Sequence, residues 1–229
     1  MYSAARVVRG RHHGNPLHCH VDAKSEAFGV DIREMAFDMV GNRDVLCFCF
    51  LGTSGLMATG STDQKIRLWA VNTLDYSHGY ALMSTIDDDV AVYNLASSAD
   101  GTVIAAGGRI STQFFHADGK IIRKVFRPNH TCRSLALSPD GLTAAIGSGN
   151  DSAGAVTLYD VNAGEMIAEL TGFDGAVTSL AFSPDGSLLA TGCTDRTVKC
   201  WDLQKLLPDR AAPAPATKPA QANLTSGYP

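Results

Sequence analysis

The sequence predicts an all-β fold built from four-stranded antiparallel sheets, and three observations predict it. A pattern of short apolar strands and polar turns occurs four times in the 229 residues. The glycines that end the second strand of each copy are spaced by 47, 40 and 45 residues, and they are Gly60, Gly107, Gly147 and Gly192. No segment has the periodicity of a helix longer than a turn or two. Periods of about 40–45 residues with four strands each favour sheets stacked around an axis, as in a β-propeller.

The four copies share one order of strands and turns. The clearest copy is residues 177–203, in which Ser183-Pro184-Asp185-Gly186 forms a hairpin turn between two strands and a third strand follows. The other copies are residues 45–71, 92–115 and 132–161. A further β-like segment precedes each triplet of strands, and these segments are Arg33–Met39, Gly79–Ile86, Lys120–Phe126 and Glu165–Leu170. We therefore expect four strands in each of four units.

Two of the copies resemble the tryptophan–aspartate (WD) repeat. The motif residues are Thr59, Asp63 and Trp69 in the first copy and Thr191, Asp195 and Trp201 in the last, while residues 156–160 carry Tyr in place of Trp. The resemblance covers roughly residues 33–205 and implies a β-propeller that holds partner proteins together, in a family with few enzymes. It also implies that each Thr accepts a hydrogen bond from the Trp indole. The Gly-His pair that opens family repeats is missing, so we expect the two Asp side chains to bond turn amides.

The two ends of the chain differ from the repeats. Residues 1–32 are basic and His-rich, with no acidic residue before Asp22. Residues 208–229 hold five of the nine prolines and few large apolar side chains, a composition typical of a disordered tail. The sequence thus predicts a folded domain over residues 33–207.

Composition excludes several classes of protein. No apolar run reaches the length of a membrane helix, and a net charge of −4 without a basic stripe argues against nucleic acid or membranes as partners. Six cysteines without a Cys-x-x-Cys pair predict neither a disulfide framework nor a thiolate zinc site. No N-terminal apolar run resembles a secretory signal, so we expect a reducing compartment and a cytoplasmic protein, with a nuclear or mitochondrial location as alternatives. Motifs for nucleophilic or phosphate chemistry are missing, so we expect no enzymatic activity and no cofactor.

A metal site at the N-terminus is one alternative. His12, His13, His18, Cys19 and His20 lie close together in sequence, and imidazole and thiolate ligands suit zinc or copper. No β-rich scaffold is predicted around them to hold a fixed geometry, so we favour a basic terminus without a metal. A metal-binding protein or an enzyme that uses this cluster remains the second hypothesis.

The favoured hypothesis is a non-catalytic scaffold for protein–protein interaction. The WD resemblance implies that partners dock on the loops between units and on the turns after the second strands. The long polar side chains predicted there are Arg43, Asp88, Arg109, His130, Asp174 and Arg196. Four units are few for a closed ring, and bare sheet edges associate. Three arrangements stay open: part of a longer propeller, a pair of chains with four blades each, or a small open ring extended by residues 1–30.

Overall fold

A computed structural model describes residues 45–52, 54–71, 80–127 and 131–208. Over these ranges the chain forms antiparallel sheets and one short helix, α1 (Leu203–Leu206). The strands are β1 (Val45–Leu51), β2 (Leu56–Ser61), β3 (Lys65–Val71), β4 (Tyr80–Asp87), β5 (Asn94–Ser97), β6 (Val103–Gly107), β7 (Ser111–His116), β8 (Ile121–Phe126), β9 (Ser134–Leu137), β10 (Thr143–Gly149), β11 (Gly154–Asp160), β12 (Met166–Phe173), β13 (Val177–Phe182), β14 (Leu188–Cys193) and β15 (Val198–Asp202). The predicted all-β fold class is confirmed.

The strands form four sheets, which we call blades 1 to 4. Blades 1, 2 and 3 each contain four strands in sequence order, β1–β4, β5–β8 and β9–β12. Blade 4 contains β13, β14 and β15. The blades therefore follow one another along the chain in the way expected of a propeller.

The fourth strand of each blade comes from the segment that the sequence analysis placed at the start of the next unit. Strand β8, for example, pairs with β7, with Val125 opposite Thr112. A tight turn explains this pairing, since Gly119 has a φ of 90° and the amide of His116 donates to the carbonyl of Lys120 at 2.8 Å. A short turn joins antiparallel neighbours directly. The longer connection that follows leads to the next blade.

Blade 4 corrects the expectation of four strands in every unit. Within the described residues it has three strands, because the chain after β15 turns into α1 instead of returning along the sheet. The Asp202 side chain caps this helix by accepting a hydrogen bond from the Lys205 amide at 3.2 Å. Leu203 then packs into the core between blades 3 and 4.

The hydrophobic core lies between successive blades and consists of three clusters. We call the face of a blade that packs on the following blade its forward face, and the opposite face its rear face. Between blades 1 and 2, for example, Ile66 and Leu68 of the forward face pack against Ile104 and Phe115 of the rear face. Equivalent clusters join blades 2 and 3 and blades 3 and 4. The first strands β1, β5, β9 and β13 contact one another in this order, with no comparable contact between β13 and β1 among these strands.

The predicted Ser-Pro-Asp-Gly turns form as expected. Gly141 and Gly186 have φ angles of 72° and 71°, which glycine adopts without strain. The Asp140 carboxylate accepts a hydrogen bond from the Leu142 amide at 3.0 Å, and Asp185 accepts one from the Ser187 amide at 3.1 Å. These turns fix the register of the first two strands of blades 3 and 4.

Candidate functional site

Both WD motifs form a buried or half-buried contact between tryptophan and threonine. The indole Nε1 of Trp69 donates to the Thr59 hydroxyl at 2.9 Å, and Trp201 Nε1 donates to the Thr191 hydroxyl at 3.2 Å. Trp69 is buried in blade 1, whereas Trp201 is half-buried in blade 4. A satisfied indole donor lets each aromatic ring fill the rear face of its blade without a polar penalty.

The two motif aspartates bond their own turns. Asp63 Oδ1 accepts from the Lys65 amide at 3.1 Å, and its Oδ2 accepts from the Arg67 guanidinium at 2.6 Å. Asp195 accepts from the Thr197 amide at 2.8 Å and the Thr197 hydroxyl at 2.6 Å. Turn amides and hydroxyls thus hold these carboxylates in place.

We expect the Asp195 carboxylate to make unfolding dependent on pH. Hydrogen bonds lower the pKa of Asp195 from 3.8 to about 2. The bond from the Thr197 hydroxyl has the largest effect, and the bonds from Cys193 and from the Thr197 amide have smaller effects. A lowered pKa in the folded chain stabilises the fold at pH values above about 4, and this contribution disappears as the pH falls through about 2. Asp195→Asn should therefore lower the melting temperature at pH 7. The difference between the two proteins should shrink as the pH falls toward 2, and an equal loss at pH 7 and at pH 2 would contradict the assignment.

Four of the six residues predicted to bind partners lie at one end of the blades. Arg109 is in the β6–β7 turn and Arg196 is in the β14–β15 turn, while Asp88 and Asp174 lie in connections between blades. In each blade, the turn between the second and third strands lies at the same end as the connection to the next blade. In blade 1, Lys65 follows the β2–β3 turn and pairs with Asp87, where β4 ends. In blade 2, Gly107 and Thr112 pair beside the corresponding β6–β7 turn. We call this end the loop end. Arg43 and His130 lie outside the described residues.

Three of these four side chains are exposed and one is not. Arg109, Asp174 and Arg196 belong to exposed residues. The Asp88 carboxylate is 1% exposed and pairs with Lys124 Nζ at 3.2 Å. Lys124 also reaches the exposed carboxylate of Asp89 at 2.7 Å. Asp88 therefore stabilises the junction between blades 1 and 2 in this conformation, and Asp89 is the carboxylate that faces solvent.

The forward face of blade 4 is a second candidate surface. Position by position, Val198 is the equivalent of Ile66, Thr112 and Val156, because each lies opposite the repeat glycine. The three equivalents are at most 1% exposed, whereas Val198 is 75% exposed. Cys200 and Ala181, whose equivalents in the other blades are buried, are also exposed, and Ala190 is half-buried. A surface with the composition of a blade-to-blade contact thus faces solvent.

The repeat glycines explain how each blade packs closely against the blade that follows it. A Cβ atom on Gly60 would lie 2.5 Å from Val92 Cγ1, and one on Gly107 would lie 2.4 Å from Cys132 Sγ. Val92 and Cys132 each precede the first strand of the next blade, so the glycine makes room for the neighbouring blade. A Cβ on Gly192 would meet only Ser179, within its own blade, at 3.3 Å. Gly192 therefore lines an unoccupied contact position.

Sequence analysis missed the cationic side chains that connect blades. Arg127 follows β8 of blade 2 and is buried; its Nη2 donates to the Thr157 hydroxyl of blade 3 at 2.9 Å. Its guanidinium carbon lies 5.7 Å from the centre of the Tyr159 ring. Lys199 of blade 4 donates to the Gly172 carbonyl and lies 4.6 Å from the Phe173 ring centre. No local sequence signal identifies these contacts, since each joins residues about 25 or more apart.

The described residues offer no metal centre, and two of their buried thiols are held in the protonated form. They contain no group of three or more His, Cys, Asp or Glu side chains placed to hold a metal ion. Burial raises the pKa of Cys49 and Cys132 to about 12, so both thiols stay protonated at neutral pH. The N-terminal His/Cys cluster lies outside the described residues. In these same ranges, no helix has the length and apolar character that crossing a bilayer requires.

Antiparallel blades that stack through hydrophobic clusters, with Thr–Trp contacts inside the first and last blades, define a β-propeller-type repeat protein. The chain belongs to the WD-repeat family, because the family model described as "WD domain, G-beta repeat" matches residues 36–70 and 164–202. These matches contain the first and last motifs, the two copies with a tryptophan.

Three curated relatives illustrate the similarity. The chain is 30% identical to "Pre-mRNA-processing factor 19 homolog 2" of Arabidopsis thaliana, covering 81% of this chain and 35% of that protein. It is 24% identical to "Eukaryotic translation initiation factor 3 subunit I" of Culex quinquefasciatus, covering 86% and 67%. It is 26% identical to "Telomerase Cajal body protein 1" of Rattus norvegicus, covering 79% and 37%. The chain thus spans about a third to two thirds of the length of these relatives.

Proposed function

We propose that this chain is a non-catalytic scaffold that binds other proteins. The observation that carries the proposal is the forward face of blade 4, where Val198 is 75% exposed although its equivalents in three blades are buried. Exposed apolar surface that is continuous with small side chains such as Ala181 marks an interaction site. The relatives support this role, since one of them is named as a subunit of a translation initiation factor.

The loop end is the second surface of the proposed scaffold. Arg109, Asp174 and Arg196 present charged groups there on turns held by blade hydrogen bonds. Asp195 Oδ2, for example, accepts a hydrogen bond from the Asp174 amide at 3.1 Å and ties two of these loops together. Rigid loops lose little entropy on binding, and arginine is favoured at binding hot spots. We assign partner binding to these residues together with Arg43 and His130.

We expect the double variant Arg109→Glu and Arg196→Glu to lose partner proteins that the unmodified chain retains. Affinity purification of the tagged full chain from its source, followed by quantitative mass spectrometry, measures this loss, and a reduction of roughly tenfold is expected from one or two lost charge contacts. Lys120→Glu is the matched control, because Lys120 is exposed in the β7–β8 turn at the opposite end of blade 2. Equal recovery of partners by the double variant and the unmodified chain would refute binding at the loop end.

The proposed scaffold acts without catalysis or a cofactor. The thiols of Cys49 and Cys132, which are buried and protonated, supply no nucleophile. The Asp195 carboxylate, whose pKa is low, accepts hydrogen bonds from donors in its turn and in the neighbouring loop, and no second carboxyl group shares these hydrogen bonds. We propose a cytoplasmic location for this binding role.

A further inference from the structure

We propose that the forward face of blade 4 binds an extended segment of a partner protein by holding one small apolar residue of that segment. The side chain of this residue would lie on Gly192, its carbonyl would accept a hydrogen bond from the Ser179 hydroxyl, and its amide would donate to the Cys193 carbonyl. The inference rests on the proposed binding function and states which chemistry the blade 4 surface recognises. Sites of the same construction are filled at the three junctions between blades.

At each junction, one residue at the entrance to the following blade lies on the repeat glycine of the preceding blade. A Cβ atom on Gly147, for example, would lie 3.1 Å from Val177 Cγ1. Val177 begins β13, so the chain is extended there. We call the residues at these positions docked residues, and all of them are at most 3% exposed. They are Val92, Cys132 and Val177. The space over a repeat glycine thus admits a side chain of the size of valine or cysteine.

A side chain of the preceding blade donates a hydrogen bond to the carbonyl of each docked residue. Asn94 Nδ2 donates at 2.8 Å, Ser134 Oγ at 2.9 Å and Cys47 Sγ at 3.5 Å. Each donor lies directly opposite the repeat glycine of its own blade. In blade 4 the residue at this position is Ser179, opposite Gly192. Blade 4 therefore has the donor that a docked carbonyl requires.

The backbone amide of the docked residue is bonded as well at the first two junctions. The Val92 amide donates to the Ser61 carbonyl at 3.2 Å, and the Cys132 amide donates to the Gly108 carbonyl at 3.2 Å. Both acceptors directly follow a repeat glycine, and Cys193 has this place in blade 4. The preceding blade thus recognises the side chain and both backbone polar groups of a single residue.

All three parts of this site are present on blade 4 and reach solvent. Ser179 is exposed, whereas Ser134, its equivalent in blade 3, is 5% exposed. Gly192 and Cys193 are half-buried, and Val198 adds apolar surface beside them. A docked segment would replace water at the hydroxyl and the carbonyl with hydrogen bonds and would bury the apolar surface around them.

The internal segments indicate which partner sequence fits the site. The docked residue is valine or cysteine, and small residues precede it. These preceding residues are Ala91, Thr131 and Ala176. Tyr93 and Arg133, which follow two of the docked residues, are exposed, so the next position tolerates a long side chain. The blade 4 residues around the site are uncharged, namely Ser179, Ala181, Ala190, Gly192, Val198 and Cys200. The fitting segment therefore has a small residue, then valine or cysteine, without a charge at either position.

A second copy of this chain cannot fill the site in the same way. Its residue equivalent to the docked residues is Val45, at the start of blade 1. Bringing Val45 onto Gly192 would require the rear face of blade 1 to lie on blade 4. Phe48, Met57 and Trp69 of that rear face are at most 5% exposed in the single chain, so this face is already covered. We therefore assign the site to a segment of another protein.

Titration of the full chain with a synthetic peptide, followed by nuclear magnetic resonance, tests the site. The probe is the peptide of residues 88–97, because this stretch places Val92 on Gly60 in the intact chain. We expect the backbone amide signals of Gly192 and Cys193 to shift and to saturate as peptide is added. The same peptide with Val92→Glu should leave these signals in place, because the site offers no partner for a buried carboxylate.

Two variants of the full chain locate the peptide on blade 4. Gly192→Ala should weaken binding about tenfold or more, because the added methyl group takes the space of the docked side chain. The new Cβ atom meets only Ser179, at 3.3 Å, so the fold should be retained. Ser179→Ala should weaken binding about fivefold through the loss of one hydrogen bond. Thr85→Val is the matched control, since it removes an exposed hydroxyl from the outer strand of blade 1 and should leave the affinity unchanged.

Three results would overturn the assignment. Amide signals of Gly192 and Cys193 that do not shift at millimolar peptide would show that no such segment docks there. Equal affinity of Gly192→Ala and the unmodified chain would place the peptide elsewhere. Shifts of the same signals on raising the protein concentration alone would assign the site to a second copy. In each case, partner recovery that depends on Arg109 and Arg196 would leave the proposed function standing and remove only this inference.

Discussion

Changing Gly147 to alanine is expected to lower the free energy of unfolding by about 3 kcal/mol. The new Cβ atom would lie 2.9 Å from the Val177 carbonyl oxygen and 2.2 Å from the Ser134 hydroxyl oxygen. Ser134 donates to that same carbonyl at 2.9 Å, so the methyl group would both crowd the backbone of blade 4 and displace a buried hydrogen bond. Chemical denaturation with urea measures the loss.

Gly192→Ala is the matched control for this change. Gly192 is the same position in blade 4, yet its added Cβ would meet only Ser179 at 3.3 Å. We expect a change within about 0.5 kcal/mol. Equal losses for the two alanines would show that the stacking contact does not determine the need for glycine.

Replacing Trp69 with alanine is expected to cost about 4 kcal/mol of unfolding free energy. Trp69 is 4% exposed and its indole donates to Thr59, so the change opens a cavity and leaves a hydroxyl without its donor. Trp201→Ala should cost less, about 2 kcal/mol, because Trp201 is half-buried and loses less contact area. Urea denaturation of both variants gives the comparison, and a larger loss at Trp201 would contradict the described burial.

Sequence alone predicted the fold class and the local turns. The spacing of Gly60, Gly107, Gly147 and Gly192 indicated one repeated sheet, and the structure has one blade for each glycine. The Ser-Pro-Asp-Gly turns could be predicted because proline, aspartate and glycine determine that geometry within four residues. The aspartates bond turn amides, as expected from the missing Gly-His pair.

The pairing of the fourth strands could not be predicted in the same way. Alternating apolar residues identify a strand but not its neighbour, and in a tandem repeat every fourth strand lies between two triplets that resemble each other. The turn at Gly119 decides the matter for β8, since it connects β7 and β8 too tightly for any other arrangement. The burial of Asp88 was equally inaccessible, because it depends on Lys124, 36 residues later.

The exposure of the forward face of blade 4 could not be predicted from the sequence, for a different reason. Val198 and Cys200 are of the same apolar type as their buried equivalents, such as Val156 and Leu158. What differs is the absence of a following blade among the described residues, and this is a property of the stack and not of the side chains. Composition at a position predicts the contact it can make, but only the order of the sheets shows whether the contact is made.

The offset between repeat and sheet makes neighbouring blades interlock. The first strand of each sequence repeat is the fourth strand of the preceding blade. A truncation at a repeat boundary therefore leaves one blade without its fourth strand. Truncation after residue 127 would end with β8 in place and keep the first two sheets complete. Truncation after residue 116 would strip an edge from the second sheet and expose its core. Truncations in such a protein therefore keep whole sheets only when they follow the sheets, not the motifs that reveal the repeat.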